Sequence, residues 1–374
     1  MIDAKEFINS LSPGVCSGVF GVPDSLLKSV NAELEVTNEI RHITASNEGS
    51  AVGLGIGSFL ATGLPSLIYL QNSGLGNTVN PLLSLADKGV YGIPMVLLIG
   101  WRGMPGEADE PQHKTQGEIT LELLDLMSIP TLILPAETKE GIEMLLQAFR
   151  RALDYRTPVA LVAKRGVFGV QKSAEQAEYS NSFELSREEA LGIIYPWVDK
   201  DDKIVSTTGM LSRELDELLE SDASAKKPRA FYVVGGMGHA SSIALGIGVS
   251  NNGERVWCLD GDGAAIMHLG SLTTIANQAP SNFVHVVFEN GTHDSVGGQP
   301  LNLWKSSLME IARGAGYVSL FSASTANEIE DILKRFPATP GPVFLSIRVK
   351  PGNRPDVKRP KLGPKDHLSI FMAS

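Results

Sequence analysis

Short apolar runs of strand length alternate with segments of helical period along nearly the whole 374-residue chain, and this alternation most constrains the fold. Strands buried on both faces read as continuous apolar stretches, and the helices between them supply parallel crossovers. In the first half the strands are predicted at Ser17–Val22, Ser66–Leu70, Pro94–Ile99, Thr131–Leu134 and Val159–Ala163. Helices are predicted between them near Ser25–Ala32, Glu48–Thr62, Asn80–Lys88, Ile119–Met127 and Lys139–Tyr155. The second half repeats the scheme, with strands at Lys203–Ser206, Ala230–Val233, Arg255–Leu259, Phe283–Phe288, Val318–Phe321 and Val343–Ile347. The expected fold class is α/β, with two doubly wound parallel-sheet domains at 1–170 and 183–350. Gln171–Ser182 is the expected polar linker and residues 351–374 a C-terminal tail.

Composition narrows the function classes. With 43% hydrophobic and 20% charged residues the chain is that of a globular protein. A net charge of −10 argues against nucleic acid or an acidic membrane surface as the main partner, so an anionic substrate needs a local basic cluster. Cys16 and Cys258 offer neither a disulfide framework nor a zinc spacing, and a reducing cytoplasm is the expected location. Met1–Ser10 has an amphipathic helical pattern, and the longest apolar run, Val90–Trp101, is too short to span a bilayer.

Two polar sites follow apolar strands in the second half. Val256–Leu259 runs into Gly261-Asp262-Gly263, and Phe283–Phe288 runs into Glu289-Asn290-Gly291. Magnesium prefers hard oxygen ligands shared with phosphate, and the Asp262 carboxylate, the Asn290 amide oxygen and the Thr292 backbone carbonyl form such a set. Gly261 and Gly263 let the backbone pass close to an ion.

Gly-Asp-Gly followed by an Asn at the next strand end resembles the signature of the thiamine-diphosphate (ThDP) enzymes. Two further motifs support the resemblance. Asn47-Glu48-Gly49-Ser50-Ala51, followed by Gly53, Gly55 and Gly57, matches the small-residue helix that carries the family's glutamate. Gly235-Gly236-Met237-Gly238-His239-Ala240 supplies the apolar residue that bends the cofactor into a V. Gly21-Val22-Pro23-Asp24-Ser25-Leu26, Gln71 to Asn77 and Asp109-Glu110-Pro111-Gln112-His113 are similar to the compact members that lack a central domain, those acting on phosphonopyruvate or sulfopyruvate. Ser206 to Gly209 and His293 to Gln299 extend that similarity along the chain. The tail, with Arg359-Pro360, lacks the Thr-rich stretch expected after Arg-Pro, which leaves the exact substrate open.

The resemblance implies decarboxylation of 3-phosphonopyruvate to 2-phosphonoacetaldehyde and CO2 in phosphonate biosynthesis, with ThDP and Mg2+ as cofactors. Glu48 would hydrogen-bond the pyrimidine ring, while Gly235 and Met237 hold the cofactor's amine and its bent shape. Thr207, Thr208, Gly209, Gly261, Gly263 and Ala264 would bind the diphosphate, and Asp262, Asn290 and Thr292 the metal. Among the histidines, His113 in a long polar loop and His239 beside Met237 are candidate proton carriers, whereas His42, His268, His285 and His367 read as packing or surface residues. Gln71, Asn72, Ser73 and Leu75 would line the substrate cavity, with His293 in a polar flap at 290–300. Arg102, Lys114 and Arg359 are candidates for the phosphonate.

Glycine-rich helix faces at Ala51–Gly57 and Ala244–Gly248 imply close helix packing. By resemblance the chain is at least a dimer, with active sites at the subunit interface. Sulfopyruvate or another 2-oxo acid, or carboligation, is the nearest alternative reading. A non-catalytic nucleotide-binding α/β protein is the remote one.

Overall fold

A computed structural model describes residues 1–12, 14–169, 183–224, 227–250, 253–301, 303 and 306–373. The expected linker, 171–182, lies outside the described residues. The chain divides into two compact units, Met1–Ala177 and Glu178–Ser374.

Unit 1 runs α1 (Ala4–Asn9), β1 (Val19–Gly21), α2 (Lys28–Val36), β2 (His42–Thr44), α3 (Glu48–Thr62), β3 (Ser66–Gln71) and α4 (Leu75–Pro81). It continues with β4 (Met95–Gly100), α5 (Pro111–Leu126), β5 (Thr131–Ile133), α6 (Thr138–Tyr155) and β6 (Pro158–Ala163). The strands pair in parallel in the order β2-β1-β3-β4-β6-β5. Side chains alternate across the sheet. Leu67 and Tyr69 of β3 join one core with Phe7, Val96 and Phe149, while Ile68 and Leu70 join another with Val52, Leu97 and Val162.

Unit 2 runs α7 (Arg187–Ile194), β7 (Lys203–Ser206), α8 (Met210–Ser221), β8 (Arg229–Tyr232), α9 (Ala240–Ser250), β9 (Val256–Gly261), α10 (Asp262–Met267), α11 (Ser271–Gln278) and β10 (Phe283–Glu289). It ends with β11 (Thr292–His293), β12 (Gln299–Pro300), α12 (Leu308–Ala315), β13 (Ser319–Ala323), α13 (Ala326–Leu333), β14 (Val343–Arg348) and α14 (Pro364–Met372). Its main sheet is also parallel, in the order β13-β14-β10-β9-β7-β8. Trp257 and Leu259 of β9 face one core and Val256 and Cys258 the other, as burial on both faces requires.

The expected α/β fold is therefore the observed one, with local corrections. Helix α3 has the predicted bounds: the Asn47 side chain caps its start by accepting from Ser50 N at 2.9 Å, and Gly63 ends it in the left-handed region at φ 72°. Strand β2 has no predicted counterpart, because it is three half-buried residues on the sheet edge. Helix α5 starts eight residues before the predicted Ile119, with Pro111 in its first turn, so His113 sits on a helix and not in a loop. The predicted Asn80–Lys88 helix lies instead in α4 and a π-turn at Leu82–Ala86. Among the described residues, no helix is long and apolar enough to cross a membrane.

Of the glycines on α3, Gly55 alone faces its own sheet closely. A Cβ there would stand 2.6 Å from Ser66 Oγ, whereas Gly53 and Gly57 have open space around them. Gly21 is the tighter constraint. Its Cβ would lie 2.1 Å from the Tyr69 carbonyl oxygen, which is backbone and cannot yield without parting β1 from β3. Gly21→Ala should lower stability by about 1–3 kcal/mol, read as a lower denaturant midpoint; an unchanged midpoint contradicts this packing.

Candidate active site

In unit 2 the ends of β7, β9 and β10 converge, as crossovers in a parallel sheet demand. Asp262, the first residue of α10, is 3% exposed. Its Oδ1 accepts from Gly263 N and its Oδ2 from Gly291 N, both at 2.7 Å, so the turn after β10 is tied to the turn after β9. Burial pushes the Asp262 carboxyl up to about 7, with Glu289 and Asp294 adding to the rise against those two N–H donors. Asn290 is buried, and its Oδ1 accepts from Thr292 N at 3.0 Å while its Nδ2 donates to Asp294 Oδ2 at 2.7 Å. The Thr292 hydroxyl donates to Asp294 Oδ1 at 2.7 Å.

Asp294 is the organiser that sequence reasoning missed. Besides Asn290 and Thr292 it accepts from Gly352 N at 3.1 Å and from Arg187 Nη1 at 3.1 Å. Arg187 is 7% exposed and donates through Nε and Nη2 to the two carboxylate oxygens of Glu214, at 2.8 Å each. This fork fixes Asp294, which fixes the Asn290 amide with its nitrogen turned to the carboxylate. No local pattern announces the network, because its members lie on α7, α8 and the turn after β10.

Around these ends stand the other predicted groups. Thr207 N donates to Leu259 O at 2.9 Å, and the buried Thr207 Oγ1 has no hydrogen-bond partner among the described residues. Thr208 Oγ1 donates to Val234 O at 3.1 Å, and Gly209 has φ 102° at the start of α8. Gly235 and Met237 are half-buried. Gly238, at φ 90°, comes so close to α10 that a Cβ would meet Met267 and the Ala264 carbonyl oxygen. Exposed His239 stacks edge-on against His268 at 4.4 Å, an arrangement the packing reading of His268 did not include. His293 is buried beside Gly263, not carried on an exposed flap, and burial holds its imidazole down to about 4. Residues 290–300 form a small antiparallel hairpin of β11 and β12.

In unit 1, Glu48 is the first residue of α3 and 6% exposed. Asn77 Nδ2 donates to Glu48 Oε2 at 2.7 Å, and burial raises the carboxyl above its ordinary value against that bond. Its Oε1 occupies the space a Cβ on Gly74 would fill, at 2.1 Å. Asn77 and Gly74 lie in the Gln71 to Asn77 motif, but the sequence assigned neither a role beside Glu48.

A second cluster centres on Asp109, which the sequence placed in a motif without assigning it a role. Arg102 binds both of its carboxylate oxygens, through Nε to Oδ2 at 2.7 Å and through Nη2 to Oδ1. His113 Nδ1 lies 3.0 Å from Oδ1, Arg165 Nη2 donates to Oδ2 at 3.2 Å, and Gly103 and Glu110 donate their backbone N–H groups. Asn72 spends its amide on structure: its Nδ2 donates to Arg102 O and Thr120 Oγ1, and its Oδ1 accepts from Arg102 N. Gln71 donates to Ser73 Oγ at 2.5 Å, Leu75 is buried, and Lys114 and Arg359 are exposed.

Asp24 lies fully buried nearby, against the bare backbone of Gly100, and Arg102 Nη1 donates to the adjacent Ser25 Oγ at 2.8 Å. Burial raises its carboxyl to about 6 against the charge of Arg102 and the N–H groups of Leu26 and Ser25. The folded chain therefore holds this proton more tightly than the unfolded chain, and the term opposes folding increasingly as pH rises from about 4 to about 6. Replacing Asp24 by Asn should remove about 3 kcal/mol of that decline. Equal pH–stability slopes in both proteins would rule this out. At the unit 2 cluster, Arg187→Leu strands the buried carboxylate of Glu214 and the half-buried one of Asp294 and should cost about 3–5 kcal/mol, measured by thermal or chemical denaturation; a loss below about 1 kcal/mol would mean the fork is not the anchor.

The donor set fits a cation and a phosphate group. Buried Asp262 and Asn290 lie close to Glu289 and Asp294, an acidic group whose charge a divalent ion would offset. The unpartnered Thr207 hydroxyl stands at the neighbouring strand end.

Comparison with known proteins bears on both halves. Residues 7–128 match the family model for the N-terminal TPP binding domain of thiamine pyrophosphate enzymes, and 209–347 match the model for the C-terminal TPP binding domain; TPP is ThDP. The chain belongs to the thiamine-diphosphate-dependent decarboxylases and is a carboxy-lyase of the phosphonopyruvate decarboxylase-like kind. It is 34% identical to a phosphonopyruvate decarboxylase of Streptomyces viridochromogenes, over 100% of this chain and 95% of that one. A phosphonopyruvate decarboxylase of Streptomyces hygroscopicus is 34% identical over 99% and 93%. A sulfopyruvate decarboxylase of Methanosarcina acetivorans is 27% identical over 85% and 84%.

Proposed function

We propose that the chain converts 3-phosphonopyruvate to 2-phosphonoacetaldehyde and CO2, in phosphonate biosynthesis, using ThDP and Mg2+. The observation that carries the reading is 34% identity along the full chain to two relatives of that name, with Glu48, Asp262 and Asn290 buried at helix starts and strand ends. Asp262, Asn290 and Thr292 hold the Mg2+, and Thr207, Thr208, Gly209, Gly261, Gly263 and Ala264 hold the diphosphate. Gly235 and Met237 fix the bent shape of the cofactor. ThDP supplies the electron sink for the breaking carbon–carbon bond.

The chain's own residues do the rest. Glu48, its carboxyl raised by burial, holds a proton at Oε1 or Oε2 against the pyrimidine, and Gly74 keeps room for it. His239 and His113 move protons near the reacting carbons, His113 being aligned by Asp109. Arg102 and Lys114 face the anionic end of the substrate, with Arg359 and His293 as further groups; Gln71, Asn72, Ser73 and Leu75 shape the cavity. Two or more copies assemble, so that different copies serve the two ends of one cofactor.

A CO2-release assay across 2-oxo acids tests the reading. Turnover should require ThDP and Mg2+ and favour phosphonopyruvate over sulfopyruvate and pyruvate. Glu48→Gln should slow it by about 10²–10⁴-fold, with ThDP still bound by fluorescence titration. A preference for sulfopyruvate would move the chain to the relative from Methanosarcina; no decarboxylation of any 2-oxo acid would end the proposal.

A further inference from the structure

Strands β9 and β10 run parallel with His285 directly opposite Cys258. Asp260 lies two residues further along β9 and so points to the same face of the sheet. All three are inaccessible: Cys258 and Asp260 are 0% exposed and His285 is 1% exposed. Their thiol sulfur, carboxylate oxygen and imidazole nitrogen lie within 4.8 Å of one another. His285 Nε2 stands 3.5 Å from Asp260 Oδ2, and neither atom has a hydrogen-bond partner among the described residues.

The other end of each polar ligand is already held. Asp260 Oδ1 accepts from Gly261 N at 3.0 Å, and His285 Nδ1 lies 3.2 Å from the Tyr317 hydroxyl, as an outer partner orients a ligating imidazole. Two unsatisfied polar atoms beside a thiol in an apolar core are costly, and buried polar atoms normally find a partner. A shared cation would satisfy both.

The geometry suits zinc. Bonds of about 2.0–2.3 Å at tetrahedral angles place ligand atoms about 3.3–3.8 Å apart. The histidine–aspartate edge already has that length, and the remaining edges need to close from at most 4.8 Å. Charge agrees as well, since thiolate, carboxylate and neutral imidazole together balance a divalent ion, and a neutral complex is the least costly to bury. Magnesium, which avoids sulfur and nitrogen ligands, is the wrong ion here.

We propose that Cys258, Asp260 and His285 bind a zinc-class divalent cation that staples β9 to β10, with a fourth position left for a small ligand such as water. The site is distinct from the magnesium site and does not depend on the substrate. The two strands it joins run on into Asp262 and Asn290, so the staple sets the spacing of the ends that carry them. Loading accompanies folding, because the site has no surface exposure.

The full chain is expressed in zinc-supplemented and cobalt-supplemented medium, purified, and treated with EDTA and then Mg2+ and ThDP. Elemental analysis should find about one zinc per chain. The cobalt-grown protein should show a thiolate-to-cobalt charge-transfer band in the near ultraviolet, absent from Cys258→Ala and retained in Cys16→Ala, which alters the other buried thiol. Native protein with less than about a tenth of an equivalent of metal, or an undiminished band in Cys258→Ala, overturns the proposal. The measurement on native protein decides even if the variant fails to fold.

Discussion

The hydrogen bond from Gly291 N to Asp262 Oδ2 is the contact on which the unit 2 site depends. It exists because β9 and β10 are parallel neighbours in register, Phe288 opposite Gly261, so that both strands end at the same level. A slip of one residue would turn the side chains of the shifted strand to the opposite face and put the two strand ends out of level. The rest of the cluster is built outward from that level: Asn290 is oriented by Asp294, and Asp294 by the fork of Arg187 on Glu214.

Unit 1 reaches a comparable result by subtraction. Glu48 is buried with no counter-charge among the described residues, which is tolerable because Asn77 bonds it and because Gly74 presents no side chain where the carboxylate lies. Asp24 makes the same use of Gly100. Two acidic groups are thus seated against bare backbone, where desolvation raises both carboxyls above their ordinary values. Asp109 plays the opposite part: charged partners and N–H donors surround it, and its carboxyl is held well below the usual carboxylate range despite partial burial.

Much of this was legible in the sequence, for physical reasons that differ by element. Parallel strands buried on both faces leave continuous apolar runs, so the two sheets could be read directly; β2, short and on an edge, leaves no such run. Motif residues lie at strand ends, so Thr207, Asp262 and Asn290 could be expected near one another once the strands were placed. The networks behind them could not, because Arg187 and Glu214 are 27 residues apart and both about 100 or 80 residues from Asp294. His285 read as packing because a lone histidine in an apolar strand has no periodic signature; only cross-strand register sets it beside Cys258. Likewise, Cys258 has no nearby second cysteine to suggest a metal ligand.

The C-terminal segment has a role the sequence did not suggest. Helix α14 lies along β8, the outermost strand of the unit 2 sheet, with Phe371 edge-on to Phe231 and His367 edge-on to Tyr232. Arg229 donates to the carbonyls of Phe371 and Ala373, and Arg354 anchors the approach to the helix on Glu188 and Glu217. An uncovered marginal strand offers its free amide and carbonyl groups to any passing chain. Helix α14 and the segment leading to it therefore act as a guard over that margin, shielding it from strand-to-strand clumping with other chains.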